Sequence, residues 1–336
     1  MAFEFSEAEN PVYKETYAGF KQQDCILVKP KDCGKVPITI PNWYPEPCYL
    51  NSRYQALAQQ IKDFEVRPDD IWLVTYPKSG TTWCQEMIWL ICHNLDYQTA
   101  TSHKLGERWC YLEFGSKTDV PEPFKTITSA PSPRFIKSHL PVSLLPDQIW
   151  TVRPKLVYVR RNPKSVAVSY FHHTVSMHGY SGTKEQFVRA FMKDQVLNSP
   201  YHEHVIEFHH LDYPNNLLHL CFEDMKKDLK STLHRVCEFF GKSFSDEQLN
   251  KLAHHLSFDS LKDNTAVNFA GFTEKVLQQS HRTEKLADPN YKFMRRGESD
   301  GWKKELDPEL AHELDEWTNR KAVDPEDRKT FSVRFE

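Results

Sequence analysis

The first pattern in this sequence that suggests chemistry is a polar loop around residue 78. An apolar run at residues 71–74 breaks at Pro77 and leads into Lys78, Gly80 and two threonines, and apolar residues at helical spacing follow to about Leu95. The N–H groups and the positive dipole end of such a helix attract an anion, and glycine lets the backbone approach it. We therefore predict a strand-loop-helix unit that binds phosphate. A nucleoside-triphosphate loop would need two glycines with Gly-Lys-Ser/Thr, whereas this loop has one glycine, which follows the lysine.

Two more sets of candidate residues come at the ends of short apolar runs. Lys137 and His139 form one set, and Arg161 belongs to the other. An imidazole titrates near neutrality and suits the acceptance of a hydroxyl proton, while the planar fork of arginine suits a phosphate dianion. Because the carboxyl ends of parallel strands meet at one edge of a sheet, we expect these side chains to lie near Lys78.

Strand patterns alternate with amphipathic helix patterns along most of the chain. Residues 217–222 give a further strand pattern, and Pro163 suits the first turn of a helix. Leu229 opens an apolar stripe at helical spacing, and Ser245 with Gln248 forms a capping box. This alternation predicts an α/β fold with a parallel central sheet and helices on both faces.

Composition narrows the class of protein. The 336 residues include 43 basic and 46 acidic side chains, a net charge of −3, which argues against nucleic-acid binding through bulk charge. The acidic N-terminus does not have the pattern of a signal peptide, and no apolar run reaches the length of a membrane span. The eight cysteines are scattered without CxxC spacing, as expected for reduced thiols. We expect a cytoplasmic protein whose partners are neither nucleic acid nor membrane.

The chain is expected to divide at about residue 65. Residues 1–65 show little periodicity, and we expect an N-terminal extension packed on the core, with a disordered tail as the alternative for residues 1–12. Residues 66–336 carry the patterns described above and are expected to form the catalytic domain. Because no linker separates the two regions, we predict a single domain overall.

Residues 76–83, Tyr-Pro-Lys-Ser-Gly-Thr-Thr-Trp, carry a resemblance to a known family. They resemble the P-loop-like phosphosulfate-binding loop of the cytosolic sulfotransferases, which use 3′-phosphoadenosine 5′-phosphosulfate (PAPS) as sulfonate donor. Residues 137–141, Lys-Ser-His-Leu-Pro, are similar to that family's Lys-Thr-His-Leu-Pro, and residues 161–169 are similar to its 3′-phosphate segment. Residues 291–303 resemble its C-terminal cofactor segment. The resemblance covers most of the chain.

The resemblance implies direct in-line transfer of a sulfonate group from PAPS to the hydroxyl of a small apolar alcohol, phenol or steroid. It gives His139 the role of general base, and it gives Lys78 and Lys137 the stabilisation of charge. The residues implied in binding the donor are Lys78, Ser79, Gly80, Thr81, Thr82, Trp83, Arg161, Ser169, Phe222, Arg295, Arg296 and Gly297. The residues implied in binding the acceptor are Tyr111, Phe114, Phe171 and His173.

Three positions depart from the family's pattern. Phe222 stands where a tyrosine near the adenine is common, and Asp300-Gly301 reverses the usual order of these two residues. Asp307-Pro308 replaces the Thr-Val of the family's short dimer motif. Because proline cannot donate a backbone hydrogen bond, a homodimer of this protein is not expected to form through that motif.

Two other functions stay open on sequence grounds. A kinase-like phosphotransferase would use a comparable phosphate loop, although the missing Gly-Lys-Ser/Thr disfavours it. A non-catalytic nucleotide-binding protein would keep the loop but would not need His139. A metal is not expected, because one histidine-rich segment lacks the HExxH spacing of a zinc site. The histidines of that segment are His202, His204, His209 and His210.

Overall fold

The computed structural model describes residues 2–13, 24–113, 123–271, 273–274 and 292–331. The strands in this part of the chain are β1 Phe3–Glu7, β2 Cys25–Pro30, β3 Cys48–Asn51, β4 Ile71–Thr75, β5 Cys110–Tyr111, β6 Phe135–Ser138, β7 Lys155–Arg160 and β8 Leu217–Cys221. The helices up to residue 192 are α1 Tyr54–Lys62, α2 Thr81–Cys92, α3 Tyr97–Ser102, α4 Leu105–Arg108, α5 Pro123–Ser129, α6 Ile149–Val152, α7 Pro163–His178 and α8 Lys184–Met192. The helices after it are α9 Tyr201–His209, α10 Phe222–Lys227, α11 Leu229–Phe239, α12 Asp246–His255, α13 Phe258–Asp263, α14 Pro308–Lys321 and α15 Pro325–Phe331.

The central sheet contains five parallel strands in the order β5-β6-β4-β7-β8. Strand β4 lies in the middle, with Ile71 opposite Phe135 on β6 and Lys155 on β7. All five residues of β4 are buried, as expected for a parallel strand covered on both faces. The structure confirms the predicted α/β fold with a parallel central sheet.

Local sequence signals set the starts of the helices that follow the strands. The side chain of Asn162 accepts a hydrogen bond from the Lys164 N–H at the start of α7, and Pro163 occupies the first turn. Ser245 and Gln248 form the predicted capping box of α12. Helix α2 begins after the phosphate loop but ends at Cys92, three residues before the predicted end.

The N-terminal segment forms a second, antiparallel sheet in the order β1-β2-β3. Phe3 and Val28 of this sheet are buried in one hydrophobic cluster with Trp72 and Leu156 of the central sheet. The sequence analysis found little periodicity here and did not predict these strands. Strand β1 lies within the stretch for which a disordered tail was the alternative, and the boundary at residue 65 stays a prediction.

The carboxyl ends of four neighbouring strands deliver the candidate residues to one edge of the sheet. Strand β4 leads into the loop with Lys78, β6 leads into His139, β7 leads into Arg161 and β8 leads into Phe222. Residues far apart in sequence therefore meet where parallel α/β sheets bind ligands. Within the described ranges, no helix combines the length and apolar character required to cross a membrane.

Candidate active site

The carboxyl edge of the sheet borders a cavity of about 1160 Å³. Most of the residues predicted from sequence to bind donor or acceptor line it. These residues are Lys78, Gly80, Thr81, Thr82, Trp83, Tyr111, Lys137, His139, Arg161, Ser169, His173, Phe222, Arg295, Arg296 and Gly297. Ser79 and Phe171 are not among the lining residues, and Phe114 lies outside the described residues.

The phosphate loop has a backbone that only glycine can adopt at its turn. Gly80 has φ 105°, and a Cβ added there would lie 2.8 Å from Cδ2 of Phe222. Ser79 is fully buried beneath the loop, and its N–H donates to the carbonyl of Tyr76 at 3.3 Å. Gly80 lines the cavity, whereas Ser79 is buried and does not line it.

Cations are concentrated around the phosphate loop. Burial, together with the positive charges of Arg161, Arg295 and Lys137, lowers the pKa of the Lys78 ammonium to about 7. The amine lies 4.5 Å from the centre of the Phe293 ring. Burial is also the main cause that lowers the pKa of Arg161 to about 10. An anion bound here would relieve this mutual repulsion, so the site is suited to phosphate or sulfate groups.

His139 is held in an orientation suited to a general base. Its Nδ1 lies 2.7 Å from the carbonyl oxygen of Thr75, and a carbonyl can only accept, so Nδ1 carries the proton. The lone pair of the neutral ring is therefore on Nε2. The His139 N–H donates to Oε1 of Glu113 at 2.6 Å, and its carbonyl accepts from Asn198 at 3.1 Å and from His204 at 3.2 Å. The Thr75 carbonyl therefore holds the imidazole itself, and the other three partners hold the backbone at His139.

Glu113 is a buried carboxylate that the sequence analysis did not assign. Besides the His139 N–H, it accepts a hydrogen bond from the hydroxyl of Ser138 at 3.0 Å. The Ser138 hydroxyl in turn accepts from the Leu140 N–H at 3.1 Å. The serine that replaces the family's threonine thus keeps the hydroxyl in use. Glu113 lies between Tyr111 and Phe114 in the sequence. Its acidic character in an apolar stretch was the only signal that could have pointed to a role for it.

Arg161 is fixed against the donor side of the cavity. Its guanidinium donates to the carbonyls of Lys78 and Glu298, both at 3.0 Å, and stacks 4.0 Å from the centre of the Phe222 ring. Its Nε is buried and has no hydrogen-bond partner among the described residues. Ser169 lines the same cavity on α7. The arrangement leaves an oriented donor for an anionic group.

The C-terminal basic segment completes this side of the cavity. Arg295 donates to Oε1 of Glu305 at 2.6 Å, and Arg296 forms an ion pair with the same oxygen at 3.1 Å. Gly297 has φ 63°, and a Cβ there would lie 2.2 Å from Cδ2 of Phe258. Glycine is thus required for the segment to approach α13. Glu305 was not assigned from the sequence, and no local pattern distinguishes it.

The part of the cavity near His139 is lined by aromatic and histidine side chains. The ring of Tyr111 lies 5.4 Å from that of His139 and 4.4 Å from the amine of Lys137. His173 also lines this part, but Phe171 packs away from it. Successive residues of a helix point about 100° apart, so α7 presents other positions to the cavity. Those further lining residues are Ser165, Val168, Tyr170, Met177 and His178.

Phe171 packs on the outer side of α7. Its ring centre lies 6.3 Å from that of Tyr180 and 5.9 Å from that of Phe187. The placement of Phe171 in the acceptor pocket is therefore not supported by the structure. Because α7 is apolar on several sides, periodicity did not show which aromatic residue faces the cavity.

The histidine-rich segment lies away from the cavity lining. His202 bonds the Thr318 hydroxyl at 3.1 Å, and burial lowers the pKa of His204 to about 4. At the end of α9, three described residues, one of them on α15, each place one potential metal-ligand atom within 4.8 Å of the others. These residues are His209, His210 and Asp327. His210 and Asp327 are also joined by a direct contact of 2.9 Å.

Comparison with known proteins identifies the family. A family model described as a sulfotransferase domain matches residues 68–325. The luciferin sulfotransferase of Photinus pyralis is 36% identical over 289 residues, which cover 81% of this chain and 76% of that protein. A crystal structure of retinol dehydratase in complex with androsterone and the inactive cofactor PAP has a TM-score of 0.80 at 27% identity, covering 96% of this chain and 97% of that one. A second one, in complex with retinol and PAP, has a TM-score of 0.79 at 26% identity, covering 100% and 99% of the two chains. As its motifs predicted, the chain belongs to the sulfotransferase family.

Proposed function

We propose that the protein transfers a sulfonate group from PAPS to the hydroxyl of a small apolar alcohol, phenol or steroid. The observation that carries this proposal is the composition of one cavity wall. A histidine with its lone pair on Nε2, His139, lines the same cavity as the crowded cations Lys78, Arg161 and Arg295. A base and an anion site are the two parts that this transfer requires.

The donor would occupy the side of the cavity formed by the phosphate loop. We assign the 5′-phosphosulfate to Lys78 and the loop backbone at residues 80–82, and the 3′-phosphate to Arg161, Ser169 and residues 295–297. The PAP bound by the two retinol dehydratase structures supports this assignment. The adenine would pack against Trp83 and Phe222, whose rings line the cavity and meet edge to face with their centres 5.6 Å apart.

Each of these residues has its own role in the sulfonate transfer. The acceptor hydroxyl attacks sulfur while Nε2 of His139 takes its proton, and the bond between sulfur and the phosphate oxygen breaks. Lys78 stabilises the charge that develops on the leaving phosphate, and Lys137 stabilises the sulfonate oxygens. Glu113 and Thr75 keep the imidazole in place through their hydrogen bonds to His139. No step requires a metal.

The acceptor would enter beside Tyr111 and the face of α7 that carries Tyr170, His173 and Met177. Aromatic and thioether side chains favour an apolar body, and the reacting hydroxyl would point towards His139. The crystal structures of retinol dehydratase contain retinol or androsterone, which supports an apolar acceptor of this size.

The test measures turnover beside donor affinity. We expect His139→Ala to lower sulfonation of an active acceptor by at least about 100-fold, because a positioned general base contributes 10²–10⁴. PAP affinity should stay within a few-fold, since the base contacts the acceptor. His254→Ala, at an exposed histidine of α12, is the matched control. A loss below about tenfold in a folded His139→Ala protein would remove His139 from the base role.

A further inference from the structure

Glu305 receives four basic side chains on one carboxylate. Its Oε1 accepts a hydrogen bond from Arg295 at 2.6 Å and forms an ion pair with Arg296 at 3.1 Å. Its Oε2 accepts from Nε2 of His172 at 2.5 Å and from the Lys184 amine at 2.9 Å. The Glu305 side chain is only 8% exposed. One oxygen therefore contacts the donor-binding arginines, and the other contacts α7 and α8.

These contacts make the carboxylate a link between the basic segment and the helical wall. Burial alone would raise the pKa of Glu305, but the hydrogen bonds from His172, Lys184 and Arg295 hold it well below its usual range. The group is therefore ionised at every pH at which the enzyme would work. The Arg295 and Arg296 side chains are 27% and 42% exposed, and among the described residues Glu305 is the ion-pair partner of both.

The charge balance shows whether Glu305 would orient the two arginines for a phosphate or compete with the phosphate for them. Arg295, Arg296 and Lys184 are three permanent cations, and Glu305 cancels one of them, which leaves two positive charges for an incoming phosphate. Each guanidinium has five N–H donors, so one bond to Glu305 leaves others for the ligand. The carboxylate can thus orient the arginines without removing their attraction for phosphate.

We propose that Glu305 is a positioning residue that fixes Arg295 and Arg296 for the 3′-phosphate of the donor. The inference rests on the proposed function, because it takes the 3′-phosphate as the ligand of these arginines. Groups fixed before binding cost less ordering entropy when the ligand arrives, so the benefit should appear in donor affinity. It should not appear in turnover at saturating donor, because Glu305 does not contact the reacting atoms.

The experiment compares the binding of two nucleotides to wild type and to one variant. PAP carries the 3′-phosphate and ADP lacks it, and calorimetry gives both affinities for wild type and Glu305→Gln. We expect PAP to bind about tenfold more weakly to the variant, at the lower end of what supporting residues contribute in metal sites. ADP affinity should be unchanged, the KM for PAPS should rise, and kcat should stay within about twofold.

Glu313→Gln is the matched control, because Glu313 also accepts two bonds from one arginine, Arg189, at 2.7 Å and 3.1 Å, but lies outside the cavity lining. If Glu305→Gln does not fold, Glu305→Asp keeps the charge and should weaken PAP binding several-fold without affecting ADP. Tighter PAP binding by a folded Glu305 variant would overturn the inference, because Glu305 would then compete with the phosphate for the arginines. Unchanged PAP binding would also overturn it, because Glu305 would then have no role in donor binding. Equal binding of PAP and ADP by wild type would instead overturn the proposed function.

Discussion

The affinity of the protein for the donor should fall steeply as the pH rises above 7. In the free protein, burial and the charges of Arg161, Arg295 and Lys137 lower the pKa of Lys78 to about 7. A bound phosphate favours the ammonium form and raises that pKa, so binding takes up a proton wherever the free lysine is neutral. Proton uptake on binding means that affinity decreases with increasing pH.

The size of the effect follows from the fraction of protonated Lys78. A group with a pKa of about 7 is half protonated at pH 7 and only about 1% protonated at pH 9, so PAP should bind about 50-fold more weakly at pH 9. The phosphates of the ligand have a second pKa near 6 and change little in this interval. Arg161, whose pKa is about 10, also stays largely charged.

Calorimetry of PAP binding between pH 7 and pH 9 would measure this slope. Lys78→Arg is the informative variant, because arginine stays protonated throughout and should flatten the pH dependence. Lys155→Arg, at a lysine outside the cavity lining, should keep the wild-type slope. A wild-type affinity that is constant from pH 7 to pH 9 would refute the lowered pKa or the contact of Lys78 with phosphate.

Three further predictions concern the loop, the base and the oligomer. Gly80→Ala should destabilise the protein by about 1–2 kcal/mol because of the left-handed backbone alone. The clash with Phe222 should add to this loss, and an unchanged melting temperature would contradict the loop geometry. Glu113→Ala should lower kcat and destabilise by about 1–3 kcal/mol, because the buried His139 N–H loses its acceptor; wild-type kcat would remove Glu113 from this role. Lys304→Glu, near the position of the family's dimer motif, should leave the molar mass from light scattering unchanged, because no dimer is expected to form through that motif. Loss of a dimer in this variant would contradict the expectation.

The central part of the fold could be predicted because its signals are local. The β4-loop-α2 unit combines a continuous apolar run, a glycine and helical spacing within about 25 residues, and the structure confirms each part. The sheet β1-β2-β3 could not be predicted in the same way. Only Phe3 of the five residues of β1 is buried, whereas all five residues of β4 are, so no continuous apolar run marks this first strand.

In the candidate site, too, the residues marked by local sequence signals could be predicted, and the others could not. The residues that follow strand ends, such as Lys78 and Arg161, line the cavity as expected. Phe171 was misplaced because one side of a largely buried helix cannot be told from another by hydrophobicity. Glu305 was missed because no local pattern marks it. Arg295 lies 10 residues away and His172 lies 133 residues away, and only the folded chain brings these side chains together.

The most direct test of the central claim is whether the protein recognises the 3′-phosphate. In a thermal-shift assay at equal concentration, PAP should raise the melting temperature far more than ADP. A ligand at 100 times its Kd stabilises by about 2.7 kcal/mol, and one at its Kd by only about 0.4 kcal/mol. Arg161→Ala should erase most of this preference, since bonds between charged groups contribute about 1.5–3 kcal/mol each. Equal stabilisation by PAP and ADP, or equal weakening of both by the substitution, would contradict the account of a PAPS-dependent enzyme.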